Sequence, residues 1–567
     1  MGWEFVMTLT MVGRRSGPLP RLRLSRWPGR TLMASAALVG PSVLWFGVLT
    51  PQIAGATTPT VTNCANSGAG SLRQAVLGAQ AGDSISFALS PACSYIALSG
   101  PIALTASVSL NGPGPGALAV DQTAHQAVFA VGAGVKATIA GLTIENGATG
   151  ITNAGTLTLS ASTVAGNGSS TGGGIVNTGT LTVTNSTLSK NGADVPDEGG
   201  GAIDNDGGTV TISGSTFEDN TASDGANGGA IFTNGGAVSI AGSTFTDNSA
   251  GHGNGGGLYN EGGSVTVTTT TWGNNSAVAG TGGGIDNDSG TLKVLDSTFG
   301  RDSADYSSGG GAIDNNAAMS VADSTFYGND ATFGGEGGAI LNSGTAAVTA
   351  STLTHNKADH IGGALYGPMT VTASILALNP QGGNCAQAMI DGGDNLDDDG
   401  TCGFTAATDI SRVEADLAPG GLADNGGPTK TIALEADSPA AHAVASSTLC
   451  AVPDQRGVAR PTPCAMGAVE LVLAPQAITS ANHASAKTST PFSFEITTTG
   501  APLPRLSKKG SLPKGLKLVN NGNGTATIAG TPAKAGVYVV DLKSTYGKGG
   551  TKVVVSQTFT LTVRSSS

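Results

Sequence analysis

The sequence predicts an all-β protein in which a parallel β-helix precedes a β-sandwich, and three features lead to this prediction. The segment GAIDNDGGTVTISGSTFEDN, at residues 201–220, returns in near copies along the middle of the chain. Hydrophobic and polar residues alternate within each copy, which is typical of short strands and not of helices. Residues 474–567 contain further short alternating segments between Gly and Pro turns, which is typical of a sandwich.

The period of the repeat indicates how the copies are arranged. A hydrophobic residue that follows a Ser/Thr-Thr pair recurs every 27 or 28 positions: Phe217, Phe245, Trp272, Phe299, Phe326 and Leu353. We expect three short strands and three corners in each period, so that each copy forms one coil and buries a core only against its neighbours. Strands of successive coils then pair about 4.8 Å apart, and equivalent residues stack in ladders.

Asparagine forms the clearest predicted ladder. Its members are Asn167, Asn191, Asn220, Asn248, Asn275, Asn329, Asn356 and Asn379, with Asp302 in place of Asn in one coil. A second predicted ladder contains Asn177, Asn205, Asn260, Asn287, Asn315 and Asn342, with Asn234 displaced by one residue. Because Asn tolerates left-handed backbone and its amide can bond a stacked amide, we interpret both ladders as structural.

Composition and charge exclude several classes of protein. The chain has 88 Gly among 567 residues but no strict triplet period, so it is not collagen, and the alternation argues against disorder. The formal net charge of -12 disfavours nucleic-acid binding, because no basic patch is available to displace counterions. A chain of this length also predicts several modules.

Residues 1–56 are predicted to be an export signal. A basic region that includes Arg14 and Arg30 precedes a mostly apolar stretch from Leu32 to Leu49, and residues 54–56 form an Ala-Gly-Ala cleavage pattern. The alternative is an uncleaved membrane anchor. We favour cleavage before Thr57, which predicts a secreted, extracellular or cell-surface protein with no membrane span in the mature chain.

The six cysteines fall into sequence-local couples that predict three disulfides in an exported protein. The couples are Cys64 and Cys93, Cys385 and Cys402, and Cys450 and Cys464. Other pairings are not excluded by the sequence.

Residues 57–140 are expected to form an N-terminal cap and the first coils. The segment Gly70–Val76 predicts a short helix that begins after Ser71 and covers the open end of the β-helix. This segment, GSLRQAV, resembles the "CSLREA" element found before bacterial β-helix repeats.

Residues 141–380 contain the repeats. The Gly-Ala-Ile element at residues 229–231 and the Phe-x-x-Asn elements at 217–220 and 245–248 resemble repeats of polymorphic outer-membrane proteins and related β-helix adhesins. The resemblance implies a right-handed β-helix and a surface location.

Residues 381–473 change in character. The segments Asn395–Cys402, Asp424–Thr429, Asp454–Gly457 and Gly467–Glu470 resemble the choice-of-anchor Q module that closes bacterial surface β-helices. The resemblance implies a C-terminal cap without chemistry of its own.

Residues 474–567 are expected to form the last module. The segments Pro491–Phe494, Gly510–Leu516, Gly522–Pro532 and Phe559–Val563 resemble the immunoglobulin-like domain of bacterial cell-surface proteins. The resemblance implies an Ig-like β-sandwich.

Three aspartates are the candidate catalytic residues. The second residue of each repeat is expected to face outward, which would place Asp286 and Asp314 one strand spacing apart, with Asp288 on the same face. Carboxylates this close would raise one pKa or bind a cation. The arrangement is similar to the acid cluster of β-helix polygalacturonases, and Tyr259 would lie one coil away, where it could stack on a sugar ring.

Asn395, Asp397 and Asp399 imitate the first half of a calcium-binding loop and are the candidate metal ligands. The resemblance to the cap module offers a purely structural explanation of the same residues. No other cofactor is expected.

Two functional hypotheses follow from the sequence. The first is a non-enzymatic exported surface or extracellular rod that serves adhesion or display and binds a cell-surface, matrix or glycan ligand. The alternative is a polysaccharide-active hydrolase or lyase that uses Asp286, Asp288 and Asp314.

Overall fold

The computed structural model describes residues 58–90, 92–169, 172–196, 199–306, 309–472, 474–501, 504–546 and 553–566. The predicted export signal lies outside these residues. The described chain is nearly all β, with a parallel β-helix of about 11 turns followed by an Ig-like domain, which confirms the predicted fold class. The three disulfides are present, and they join Cys64 to Cys93, Cys385 to Cys402, and Cys450 to Cys464.

One α-helix, Leu72–Gly78, lies at the N-terminal end of the β-helix. The Ser71 side chain caps it by accepting a hydrogen bond from the Gln74 amide at 3.2 Å, as the sequence predicted. Leu72 and Val76 are buried in the same core as Val61, so the helix covers the first coil and shields its end from solvent.

Three parallel sheets form the described walls of the β-helix. The first sheet contains Thr60–Val61, Ser84–Phe87, Ile102–Leu104, Ser109–Asn111, Ala127–Val131, Lys136–Ala140, Thr149–Asn153, Thr156–Ser160, Ile175–Asn177, Thr180–Thr184, Ile203–Asp206, Thr209–Ser213, Ile231–Asn234, Ala237–Ala241, Leu258–Thr268, Ile285–Leu295, Ile313–Asn315, Ala318–Ala322, Ile340–Asn342, Thr345–Thr349, Leu365–Tyr366, Thr370–Thr372 and Ile390–Asp391. The second sheet contains Tyr95–Leu98, Ala119–Gln122, Thr143–Glu145, Thr163–Ala165, Thr187–Ser189, Thr216–Glu218, Thr244–Thr246, Thr271–Gly273, Thr298–Gly300, Thr325–Tyr327, Thr352–Thr354, Ile375–Ala377, Leu396–Asp397 and Ile410–Ser411. The third sheet contains Gly168–Ser169, Gly192–Ala193, Thr221–Ala222, Ser249–Gly251, Ser276–Val278, Ser303–Ala304, Asp330–Ala331 and Lys357–Ala358.

Most complete coils have four strand segments, one more than the sequence predicted. Two of them, such as Ile203–Asp206 and Thr209–Ser213, both belong to the first sheet, and one, Thr216–Glu218, belongs to the second. The additional strand, Thr221–Ala222, follows the Asn corner and pairs with Ser249 and Ala250 of the next coil. Its two residues are too few to show alternation, which is why the sequence pattern did not reveal it.

The core is a column of stacked side chains. Aromatic rings from the second sheet stack in five successive coils, with centroids 4.3 to 5.6 Å apart, in the order Phe217, Phe245, Trp272, Phe299 and Phe326. Parallel ring planes follow from the strand register, which pairs each aromatic residue with its equivalent in the next coil.

The Ig-like domain is a sandwich built mainly from antiparallel pairs. Its strands are Ala474–Ile478 paired with Thr498–Ala501; His483–Lys487, Val553–Arg564, Gly536–Tyr546 and Arg505–Lys509; and Phe492–Ile496, Ala526–Gly530 and Leu516–Asn520. Phe559, Leu561 and Leu542 form the centre of a core separate from that of the β-helix.

The segment that follows the last coils folds back along the outer face of the second sheet. Gln455 donates to the Thr298 hydroxyl at 2.8 Å and accepts from the Thr325 hydroxyl at 2.6 Å. The Ala468 amide donates to the Thr352 hydroxyl at 3.0 Å. We name residues 423–470, which carry these contacts, the clamp; the three threonines that they reach are buried as a result.

One buried ion pair holds the clamp to the β-helix. The Arg460 guanidinium lies 2.8 Å from the Asp323 carboxylate, and both side chains are almost fully buried. Burial raises the pKa of Asp323 to about 6, and Arg460 acts in the opposite direction. The pair therefore keeps Asp323 charged at neutral pH.

Removing one partner of this pair is expected to destabilise the protein strongly. Arg460→Ala should lower the free energy of unfolding by about 3–5 kcal/mol, because it leaves the Asp323 charge buried without a partner. Denaturant unfolding followed by circular dichroism would measure this loss. The double variant Arg460→Met with Asp323→Asn should recover most of it, and equal losses in both variants would contradict the argument.

Candidate functional site

Each coil of the repeat begins with a strand that follows the glycine-rich segment and starts with Ile or Leu. The second residues of these strands form one continuous column along the first sheet. The strand register places the members directly above one another in the order Val176, Asp204, Phe232, Tyr259, Asp286, Asp314, Leu341 and Tyr366. Asp286 and Asp314 are therefore neighbours, and Tyr259 lies one coil from Asp286, as the sequence predicted.

The two candidate aspartates of this column do not face solvent, which corrects the expectation from the sequence. Asp286 and Asp314 are only 1% and 2% exposed. The glycine-rich segment before each strand folds back over the second strand residue, and a Cβ on Gly282 would lie 2.8 Å from the Asp286 Cα. Gly282 also has φ of +65°, a conformation that glycine adopts without strain. Asp288, two residues further along, is exposed.

The two buried carboxyls, Asp286 and Asp314, accept few hydrogen bonds. The Thr281 hydroxyl donates to Asp286 Oδ2, whereas Asp286 Oδ1 has no partner. Burial and the neighbouring Asp314 raise the pKa of Asp286 well above its usual range, although the Thr281 hydrogen bond acts to lower it. Burial raises the pKa of Asp314 to about 7, against the lowering effect of a 3.3 Å hydrogen bond from the Gly310 amide. The pair therefore retains a proton at neutral pH.

This geometry limits what the aspartates can do chemically. Glycoside hydrolysis by two carboxyl groups requires both to reach the scissile bond of a bound sugar. Asp286 and Asp314 lie together but beneath the glycine segments, and the carboxyl of Asp288 lies outside them. As folded here, the pair cannot contact a polymer.

The first asparagine ladder is continuous over six coils of the β-helix. Each side-chain amide donates to the side-chain oxygen of the next member at 2.8–3.0 Å, in the order Asn167, Asn191, Asn220, Asn248, Asn275 and Asp302. A second run connects Asn329, Asn356, Asn379 and Asn384. Each amide in the repeated coils also donates to a backbone carbonyl of the preceding coil, as Asn275 does to Phe245 at 3.0 Å. These bonds satisfy buried corner backbone, so the ladder has a structural role.

Asp302 interrupts this ladder. Its Oδ1 accepts from the Asn275 side chain at 2.8 Å, but its buried Oδ2 has no partner where an Asn would carry donor hydrogens. Burial raises the pKa of Asp302 to about 7, although the hydrogen bonds from Asn275 act to lower it. This carboxyl is therefore also partly protonated near neutral pH.

The second ladder joins the two segments of the first sheet. Asn177 donates to Asn205 at 2.7 Å, and Asn260, Asn287, Asn315 and Asn342 continue the pattern at 2.6 Å. Thr233 occupies the ladder position in the coil where Asn234 is displaced, and its hydroxyl accepts from Asn205 at 2.9 Å. Asn153 extends the ladder by one coil.

The candidate calcium ligands divide into two groups. Asn395 accepts from the Ser374 amide at 3.1 Å and donates to the Val371 carbonyl at 2.9 Å, so it does not join the aspartates. Asp397, Asp398 and Asp399 each bring a carboxylate oxygen within 4.8 Å of the others. Burial raises the pKa of Asp397 to about 6, against hydrogen bonds from Asn384 and the Cys402 amide. Calcium binding by Asp397 and Asp399 stays a prediction.

A serine ladder beside the second sheet was missed in the sequence. Backbone amides of most members donate to the hydroxyl of the next member at 3.1–3.2 Å, as Ser186 does to Ser215 and Ser324 does to Ser351. Its members are Ser162, Ser186, Ser215, Ser243, Thr270, Ser297, Ser324, Ser351 and Ser374. The signal was present as the residue before each Thr-Phe pair, but we used that motif only to define the period.

The described chain is thus a β-helix repeat protein with a C-terminal Ig-like domain. The Chlamydia polymorphic membrane protein repeat matches residues 214–234 and 242–261, and the family "Putative Ig domain" matches residues 474–564. Both resemblances inferred from the motifs are thereby confirmed. The repeat family fits a protein of the cell surface. In the part of the chain that the structure describes, no helix is long and apolar enough to cross a membrane.

Similarity to other known proteins is low. No curated protein sequence matches this chain. A Bacteroides fragilis structure named "putative alpha-galactosidase" is 25% identical over 17% of this chain and 19% of its own, with a TM-score of 0.14. A chimeric titin Z1Z2 structure is 19% identical over 17% of this chain and 99% of its own, also with a TM-score of 0.14. A PL6 family alginate lyase is 11% identical over 76% of this chain and 62% of its own, with a TM-score of 0.40.

Replacing a member of the buried carboxyl pair is expected to stabilise the protein at alkaline pH. A raised pKa means that the folded state holds a proton that the unfolded state releases, so the pair costs stability increasingly as pH rises from about 4 to 7. Asp314→Asn should therefore raise the free energy of unfolding by about 1–3 kcal/mol at pH 8 and by less at pH 5. Urea unfolding at both pH values would measure this. Asp206→Asn, which removes an exposed charge from a distant coil, is the control and should change stability little.

Completing the interrupted asparagine ladder should also stabilise the folded protein. Asp302→Asn supplies the missing donor and removes the carboxyl with the raised pKa, so the gain in melting temperature should increase as pH rises from about 4 to 7. Thermal unfolding across this range would test it, with exposed Asp219→Asn as the matched control. A gain that is independent of pH would show that charge at Asp302 is not the cause.

Proposed function

We propose that the protein is an exported surface rod that presents a recognition ridge and an Ig-like domain for adhesion. Its length comes from coils paired in continuous register, which gives reach without a large globular core. The polymorphic membrane protein repeats and the disulfides support a location outside the cell. The single observation that supports recognition most directly is a pair of exposed aromatic side chains on one edge of the rod.

These side chains are Tyr306 and Phe333. Ser303 pairs with Asp330 in successive coils, and each aromatic residue lies three positions further along the chain, so the two occupy equivalent places on neighbouring loops. They are 51% and 77% exposed, respectively. His360 occupies the equivalent place in the following coil and bonds Glu336 at 3.0 Å. We name Tyr306, Phe333 and His360 the recognition ridge.

Exposed aromatic residues of this kind are suited to binding. Aromatic rings bury a large area at small cost in side-chain entropy, and they are enriched among the residues that contribute most to interfaces. The loops that carry them also vary in length from coil to coil, whereas the coil walls do not. Variable loops on a rigid scaffold are a common place for recognition.

Binding assays on the full chain would test the proposed function. The purified protein should bind at least one member of a panel of immobilised glycans, matrix proteins and cell surfaces. Tyr306→Ala combined with Phe333→Ala should weaken that binding about tenfold or more, which corresponds to about 1.4 kcal/mol. Tyr95→Ala is the matched control, because Tyr95 is 56% exposed but lies outside the ridge.

Two outcomes would contradict this proposal. Binding to no member of the panel would argue against adhesion, and equal binding by the double variant would argue against the ridge. The alternative, cleavage of a polysaccharide at Asp286, Asp288 and Asp314, is disfavoured by the burial of two of the three carboxyls. Release of new reducing ends or unsaturated products by the wild-type protein, abolished in Asp286→Asn, would reverse this preference.

A further inference from the structure

The first sheet presents a regular array of hydroxyl groups on its outer face. Five consecutive coils contribute three outward residues each: Thr156, Thr158 and Ser160; Thr180, Thr182 and Thr184; Thr209, Thr211 and Ser213; Ala237, Ser239 and Ala241; and Ser264, Thr266 and Thr268. All are exposed or partly exposed, and all but the two alanines carry a hydroxyl. We name these fifteen positions the hydroxyl face.

The array is regular in two directions. The register runs without a shift from Thr158 to Thr182, Thr211, Ser239 and Thr266, and the rows on either side follow it. Neighbouring rows of a parallel sheet repeat about every 4.8 Å, and alternate residues of a strand repeat about every 6.6 Å. The hydroxyl face therefore covers about 19 by 13 Å, which is four spacings by two.

Two side-chain ladders hold this spacing in place. Along one edge, Asn153 donates to Asn177 and Asn177 donates to Asn205, both at 2.7 Å. Along the other edge, the amides of Ser162 and Ser186 donate to the next serine hydroxyl of the serine ladder at 3.2 Å. Sheets of many strands usually twist, and specific side-chain ladders are among the features that keep them flat.

The chemistry of the hydroxyl face is also unusual for a surface. None of its fifteen positions carries a charge, although the chain as a whole has 66 charged residues, 27 basic and 39 acidic. Charges appear just beyond it, at Lys136 on one side and Lys293 on the other. Threonine offers a methyl group and a hydroxyl at each point, and the outward positions contain neither an aromatic ring nor an amide.

From this geometry we propose that the hydroxyl face binds ice. The uncharged array repeats hydroxyl groups about every 4.8 Å in one direction and about every 6.6 Å in the other, which offers a lattice of oxygen atoms to an ice surface. The threonine hydroxyls can take the places of lattice water, and the methyl groups order water between the rows. A polysaccharide fits the face less well, because it offers no aromatic platform for sugar rings and no amide or carboxylate for their hydroxyls.

The inference is independent of the recognition ridge, which lies on the loops that follow the third sheet. The clamp covers the outer face of the second sheet but not the hydroxyl face. Among the described residues the face is exposed or partly exposed, so binding there is compatible with binding at the recognition ridge.

Ice growth in the presence of the full, disulfide-bonded chain would test the proposal. The wild-type protein should slow ice recrystallisation at micromolar concentration and produce faceted crystals in a nanolitre osmometer. Thr211→Lys, at the middle of the face, should require at least about tenfold more protein for the same effect, because a long charged side chain holds the ice surface away. Thr158→Lys is a second variant, in another coil, in case the first folds poorly.

Thr216→Lys is the matched control, because it makes the same change in the same coil but on the second sheet. It should behave as the wild type, and the melting temperatures of all folded variants should agree. Ordinary ice growth with the wild-type protein would overturn the proposal, as would equal activity of the face and control variants. Binding to insoluble cellulose or chitin that Thr211→Lys abolishes, without any effect on ice, would assign the face to a glycan and overturn it as well.

Discussion

The fixed distance between coils is the constraint on which the rest of this structure depends. Each strand pairs with its equivalent in the next coil about 4.8 Å away. Buried side chains of the repeat therefore pack directly against the equivalent side chains of the coils above and below. Only groups that pack well against themselves suit such positions. Aromatic rings stack on one another, and side-chain amides both donate and accept hydrogen bonds. Serine hydroxyls accept a hydrogen bond from a backbone amide and donate one to a carbonyl. The repetition of the sequence is therefore a consequence of the geometry.

The same constraint explains where buried polar groups remain unsatisfied. An aspartate in an amide ladder can accept but not donate, and Asp302 leaves Oδ2 without a partner. Trp272 stacks well between Phe245 and Phe299, yet its indole nitrogen has no acceptor in a column that otherwise contains phenylalanine. Asp286 and Asp314 repeat a charge in adjacent coils, where only a retained proton relieves the repulsion. These departures all lie within residues 258–329.

The sequence allowed the β-helix to be predicted because its signal repeats. The Ser/Thr-Thr-Phe motif and the alternation seen in Thr209–Ser213 recur in many coils. An ambiguous pattern in one coil is therefore resolved by the clearer patterns in the others. The burial of Asp286 could not be predicted in this way, because it depends on a glycine segment crossing a strand, and alternation alone places that side chain outside. The clamp was not predictable either, since Gln455 and Thr325 lie 130 residues apart and are joined by a contact without periodicity.

The clamp also makes the exposure of equivalent threonines differ between the C-terminal coils and the earlier coils. Over the C-terminal coils it buries Thr298, Thr325 and Thr352, whose equivalents in earlier coils, such as Thr216 and Thr244, remain partly exposed. The strand sequences are similar in both regions, so coverage is decided by residues outside the repeat and not by the repeat itself. Within the part of the chain that the structure describes, the outward threonines of the first sheet over residues 156–268 stay exposed or partly exposed, although they are equally able to bond such a segment. Strand propensity favours threonine over lysine and contributes to the composition of this surface, whereas its exposure depends on which coils the clamp covers.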